Sequence, residues 1–230
     1  MARPASLPIV LLHGCGGSAA ETYVRTGWVE RLAASGRTVV PVTLPGHGVG
    51  ASHDPAAYAD LAGAVLADLP PQFDGIGFSL GGKLLLEVAA RAPDRVGRLV
   101  IGGVGDNAFA PEKSGEASAA ALADGIGPNS PPPLRSFYAS CIASGVDLLA
   151  IAAILRRSPN PVLDADRLSR VTAPVLLVNG DADPIATPAG ALMAALAQVQ
   201  PVTLPGIDHL SLPANADFLR HALAFLEDSK

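Results

Sequence analysis

The chain has 230 residues, 49% of them hydrophobic and 16% charged, which suits one α/β domain around a single large core and is too apolar for disorder. No apolar run is long enough to span a bilayer, and a formal net charge of −5 without a Lys/Arg cluster interleaved with aromatics excludes nucleic acid as a partner. Two cysteines, Cys15 and Cys141, are too few for a disulfide scaffold or a thiolate metal site, and both are expected to be reduced.

Taken from the N-terminus, residues 1–10 contain no apolar h-region, because the run Ile9-Val10-Leu11-Leu12 stops at His13-Gly14; a cytoplasmic protein is expected. Short runs rich in leucine and β-branched residues at 9–12, 38–42, 75–78, 99–101, 175–178 and 201–204 predict strands. Their continuous apolarity suits strands buried on both faces. Residues 28–34, 58–69, 83–91, 189–197 and 214–227 carry helical spacing. The alternation predicts crossover units and a parallel sheet, an α/β fold. One stretch departs from it. Residues 106–171 show no strand signal: 112–127 is small and polar, Pro131-Pro132-Pro133 is a stiff punctuator, and 137–157 is an apolar helical pattern. It is read as a helical cap inserted into a core of residues 1–105 and 172–230. Its aliphatic residues, among them Val146, Leu149, Ile151 and Ile154, would pack it over the sheet.

Gly77-Phe78-Ser79-Leu80-Gly81-Gly82 falls between an expected strand and an expected helix. A serine on so sharp a turn is forced outward, and glycines two residues to either side remove side chains that would collide. Serine also caps helices, but the placement favours a nucleophile. The Leu80 amide, at the positive end of the following helix, is then a natural oxyanion donor.

A serine hydroxyl needs a base to accept its proton. Of five histidines, His209 alone lies in the loop that leaves the last expected strand, at the carboxyl edge where the Ser79 turn also opens. A carboxylate must hold the imidazole tautomer. Asp181 and Asp183 both leave residues 175–178 at that edge; Asp183 is preferred as the acid and Asp181 as a residue pinning the turn. Asp208 adjoins His209, and neighbouring side chains diverge.

The order Ser79, Asp183, His209 is the one associated with α/β hydrolases, and the sequence resembles the α/β-hydrolase fold-1 family along almost its whole length. His13-Gly14-Cys15-Gly16-Gly17 resembles the oxyanion loop, Leu44-Pro45-Gly46-His47-Gly48 the Pro-Gly-His-Gly loop, residues 77–81 the elbow, 180–183 the acid loop and His209 the histidine. The resemblance implies a second oxyanion donor in the Cys15 backbone N–H, and His13 and His47 as hydrogen-bonding residues of their loops. It implies a serine hydrolase of carboxylesterase type acting on a small-molecule ester, thioester or lactone, with no cofactor and no metal. Thr43 stands where the family often carries Asp, and the short stretch before Ile9 leaves room for about six parallel strands rather than the family's eight-stranded sheet. Cofactor-free haloperoxidase or perhydrolase chemistry, carbon–carbon bond hydrolysis and a non-catalytic ligand receptor are the alternatives on the same fold. Val146, Leu149 and Ile154 are expected to line the substrate pocket, which the aliphatic character of the cap suits to neutral, apolar substrates.

Overall fold

Runs of leucine and β-branched residues form one six-stranded, all-parallel sheet in the computed structural model, which describes residues 7–110, 115–160 and 163–227. The strands are β1 (Ile9–Leu12), β2 (Val39–Val42), β3 (Phe73–Phe78), β4 (Val96–Gly102), β5 (Val175–Gly180) and β6 (Val199–Leu204), in the order β2-β1-β3-β4-β5-β6. Side chains alternate along a strand, so each inner strand feeds two cores. Val10, Leu12, Leu99, Ile101, Val175 and Leu177 point into one, and Ile9, Leu11, Val100, Leu176 and Val178 into the other. Burial on both faces is the reason β1 reads as an unbroken apolar run. Residues 1–6, on which part of the localisation expectation rests, lie outside the described residues.

Among the described residues the helices are α1 (Trp28–Ala33), α2 (Leu61–Asp68), α3 (Leu80–Arg91), α4 (Gly115–Asp124), α5 (Pro132–Ser144), α6 (Leu148–Arg156), α7 (Ala165–Leu168), α8 (Gly190–Ala195) and α9 (Ala216–Glu227). Helices α2, α3 and α8 cover the first core, α1 and α9 the second. The helix expected over 58–69 begins later. Asp60 caps α2 by accepting from Gly63 N at 3.0 Å, which leaves Pro55–Tyr58 as a separate 3-10 turn.

Helices α4 to α7 lie between β4 and β5. The small, polar stretch gave no expected element, yet it holds α4: alanine is the best helix former, and Ala119, Ala121 and Leu122 are buried. The single helical pattern over 137–157 is two helices. Gly145 turns left-handed after α5, and the Asp147 carboxylate starts α6 by accepting from Leu149 N at 3.0 Å and Ala150 N at 3.3 Å. Pro132 opens α5, where a missing N–H costs nothing. Helix α6 packs on α4 and on the Pro55–Tyr58 turn.

Strand order reverses at β1. The chain leaves β1 toward β2 on one side and proceeds from β3 toward β6 on the other, so the loops after β1 and β3 diverge over a crevice at the carboxyl edge.

Candidate active site

β3 passes into α3 through Ser79, whose backbone stands at φ 51, ψ −115, the only positive φ outside glycine among the described residues. Such strain costs ~1–3 kcal/mol and persists only where the surroundings over-determine it. Ser79 N donates to Gly102 O at 2.8 Å, Lys83 N to Ser79 O at 3.0 Å, and Gly81 N to His13 O at 3.1 Å. A Cβ at position 81 would fall 2.1 Å from Leu12 O, and one at 77 would fall 2.7 Å from the Gly81 backbone. Both glycines are therefore required for the elbow to close against β1.

Ser79 Oγ donates to His209 Nε2 at 3.0 Å, and His209 Nδ1 donates to Asp183 Oδ2 at 2.7 Å. The other oxygen of Asp183 accepts from Ile185 N at 2.9 Å and Ala186 N at 3.1 Å, and the residue is fully buried. A carboxylate so held satisfies its lone pairs without water and fixes the imidazole tautomer. The loops carrying the two residues are stitched together: Asp181 N donates to Leu204 O at 3.1 Å and Ala182 N to Ile207 O at 3.2 Å. Phe78 places its ring 4.9 Å from the imidazole. Asp181 pins a turn, though not its own, by accepting from Gly206 N at 2.6 Å. Asp208 turns away to Ser211, accepting from its hydroxyl at 2.6 Å and its N–H at 2.8 Å; these bonds, the hydroxyl first, hold its carboxyl below the usual carboxylate range.

The loop after β1 lies beside the elbow. A Cβ on Gly14 would be 3.5 Å from the Ser79 Cβ, and Gly17 N donates to Gly14 O at 3.1 Å, which folds Cys15 into a tight turn. Leu80 is the first residue of α3, so its amide has no acceptor within the helix. His13 and His47 join the two loops reciprocally. Leu44 N donates to His13 Nε2 at 3.2 Å, and Gly16 N donates to His47 Nε2 at 2.9 Å. Each Nδ1 donates to a carbonyl, His13 to Gly14 O at 2.9 Å and His47 to Pro45 O at 3.1 Å. Both rings must be neutral for this, and burial lowers their pKa values to about 4 for His13 and about 3 for His47.

The three cap residues expected to line the pocket are separated. Ile154 is fully buried, its Cδ1 2.4 Å from where a Cβ on Gly46 would stand and next to Tyr58; Val146 is half-buried; Leu149 is exposed. Helical spacing sends Leu149 and Ile154 to different faces, which the apolar pattern alone does not resolve. Sequence reasoning missed the contact of α5 with the loop after β1: Phe137 and the buried Cys141 close over Gly16. The spacing Leu134, Phe137, Tyr138, Cys141 was the available signal. It also gave no partner to His53, whose Nε2 meets Asp147 Oδ2 at 2.8 Å.

The sequence pattern of the alpha/beta hydrolase family matches residues 9–222. A pimeloyl-[acyl-carrier protein] methyl ester esterase from Nitrosomonas europaea is 31% identical over 207 residues, 80% of this chain and 79% of that one. The enzyme of the same name from Vibrio parahaemolyticus is 40% identical over 92 residues, 40% of this chain, so that the match spans about a third (34%) of the relative's length. In structure the chain resembles the 2-hydroxy-6-oxo-6-phenylhexa-2,4-dienoate hydrolase of Rhodococcus sp. strain RHA1, with a TM-score of 0.71 at 19% identity over 99% of this chain and 92% of that one. The match over residues 9–222, carried by a six-stranded parallel sheet flanked by helices, places the chain in the alpha/beta hydrolase family.

Proposed function

We propose that the protein is a serine hydrolase that cleaves a small, largely apolar carboxylic ester through an acyl-enzyme. The observation that carries this reading is the unbroken relay from Ser79 Oγ through His209 to the buried Asp183. Ser79 Oγ attacks the ester carbonyl while its proton passes to His209 Nε2. The Leu80 and Cys15 amides receive the oxyanion, and Asp183 stabilises the imidazolium. His209 returns the proton to the leaving alcohol, then activates a water that releases the acid and regenerates Ser79. The names of the Nitrosomonas and Vibrio relatives support ester substrates.

Residues 106–171 act as the cap, with Leu149 and Val146 toward the substrate and Ile154 anchoring α6 to the core. Among the described residues neither Cys15 nor Cys141 is joined in a disulfide, which suits the cytoplasm. A panel of p-nitrophenyl esters from acetate to octanoate, turned over by the purified protein, tests the reading. Ser79→Ala and His209→Ala should each lower kcat by ~10³-fold or more, with losses that do not add in the double variant, because such residues act as a unit. Undiminished turnover by Ser79→Ala would refute the mechanism, and tight binding of an ester with no turnover would mark a ligand receptor.

A further inference from the structure

β5 is apolar from Val175 to Val178 and then sets a polar side chain, Asn179, where it is only 8% exposed. Its carboxamide pairs with one residue as a neighbouring strand would: Val104 N donates to Oδ1 at 3.2 Å and Nδ2 donates to Val104 O at 2.8 Å. Nδ2 also donates to Ala186 O at 3.3 Å. Both segments held in this way belong to the active site. Ala186 N, with Ile185 N, grips Asp183 Oδ1. Gly103, which precedes Val104, lies against the imidazole: a Cβ there would be 3.1 Å from His209 Cε1. The two segments also touch directly, since a Cβ on Gly105 would fall 2.1 Å from Ala186 O.

We propose that Asn179 is a positioning residue for the Asp183–His209 pair, an inference that rests on the serine-hydrolase reading. Its amide clamps residues 103–105 to residues 185–186, and so fixes at once the cradle of the carboxylate and the surface behind the imidazole. A buried amide with its oxygen and its nitrogen both engaged is costly to disturb, because any group left behind is unpaired and out of water. Displacements of about 1 Å at a reacting centre cost about 100-fold in rate.

The test is a mutant cycle read as kcat on p-nitrophenyl butyrate, with the low-field proton signal of His209 Nδ1–H as a second readout. Asn179→Asp preserves shape and the acceptor for Val104 N while removing both donors; Asn179→Ala removes all three bonds, and either variant that folds carries the test. In the otherwise unchanged protein, kcat should fall about 10- to 100-fold with KM little altered, and the His209 signal should shift or broaden. In an Asp183→Asn background the same substitutions should cost less than about threefold, because the group they position no longer works. Equal losses in both backgrounds, or an unshifted signal with undiminished kcat, overturn the inference alone. Wild-type kcat in Asp183→Asn moves the acid elsewhere and overturns the inference alone, whereas undiminished turnover by Ser79→Ala overturns the hydrolase reading and the inference with it.

Discussion

Ser79, His209 and Asp183 are set by different local devices. Ser79 is held in a conformation that serine does not choose, by backbone bonds to Gly102 and Lys83 and by two glycines that let the turn close. Asp183 is chosen over Asp181 by burial and by two backbone donors, whereas Asp181 reaches across to Gly206 N. Asp183→Asn should therefore lower kcat by ~10³-fold or more, through loss of the correct tautomer, and Asp181→Asn by far less. Steady-state kinetics of the two variants decides the assignment; the reverse ranking would move the acid to Asp181. The elbow motif made Ser79 legible in sequence, and position after a strand marked His209. The choice between two aspartates separated by one residue depended on which one turns inward. Asn179 carried a weaker signal, a polar residue ending an apolar run.

At the level of elements, α6 holds two kinds of apolar residue that share one pattern. Ile154 fills space against Gly46 and Tyr58, so Ile154→Ala should destabilise the protein by about 2–5 kcal/mol in chemical denaturation. Leu149 is exposed near the start of the helix and should change stability by no more than about 0.5 kcal/mol on truncation. Its replacement by Ala or Phe should instead alter the ratio of kcat/KM between short and long acyl esters, by roughly tenfold. Selectivity unchanged in Leu149 and Val146 variants would mean that the substrate pocket is built from other elements. The insertion was visible as a break in the alternation of strands and helices. Its division at Gly145 and the Asp147 cap, and the helix made by residues 115–124, were not, since alanine-rich polar sequence carries little periodicity.

At the level of the whole molecule, the burial of His13 and His47 between their two loops couples stability to pH. Both rings stay neutral in the folded protein to about pH 4 and about pH 3, against 6.5 in the unfolded chain. The unfolded state then binds more protons below pH 6.5, so stability is fully present above that value and is lost as pH falls toward 3. The slope is up to ~1.4 kcal/mol per pH unit for each histidine. Urea unfolding of the wild type should show a steep loss of stability between pH 6.5 and 4, and His13→Gln/His47→Gln should show a shallower one; equal slopes would place the acid sensitivity in other groups. By itself the sequence determined the parallel α/β architecture, the elbow, and the chain order Ser79, Asp183, His209 of the three side chains that meet. Those features are written in short-range periodicity and in turn chemistry, which neighbouring residues dictate to one another. Only the tertiary structure decided that His13 serves Leu44 while His47 serves Gly16, that Ile154 faces inward and Leu149 outward, and that Asn179 ties the acid loop to the loop behind His209. Each joins segments distant in sequence or chooses between faces of one element, and no local pattern records which partner packing will bring within reach of a hydrogen bond.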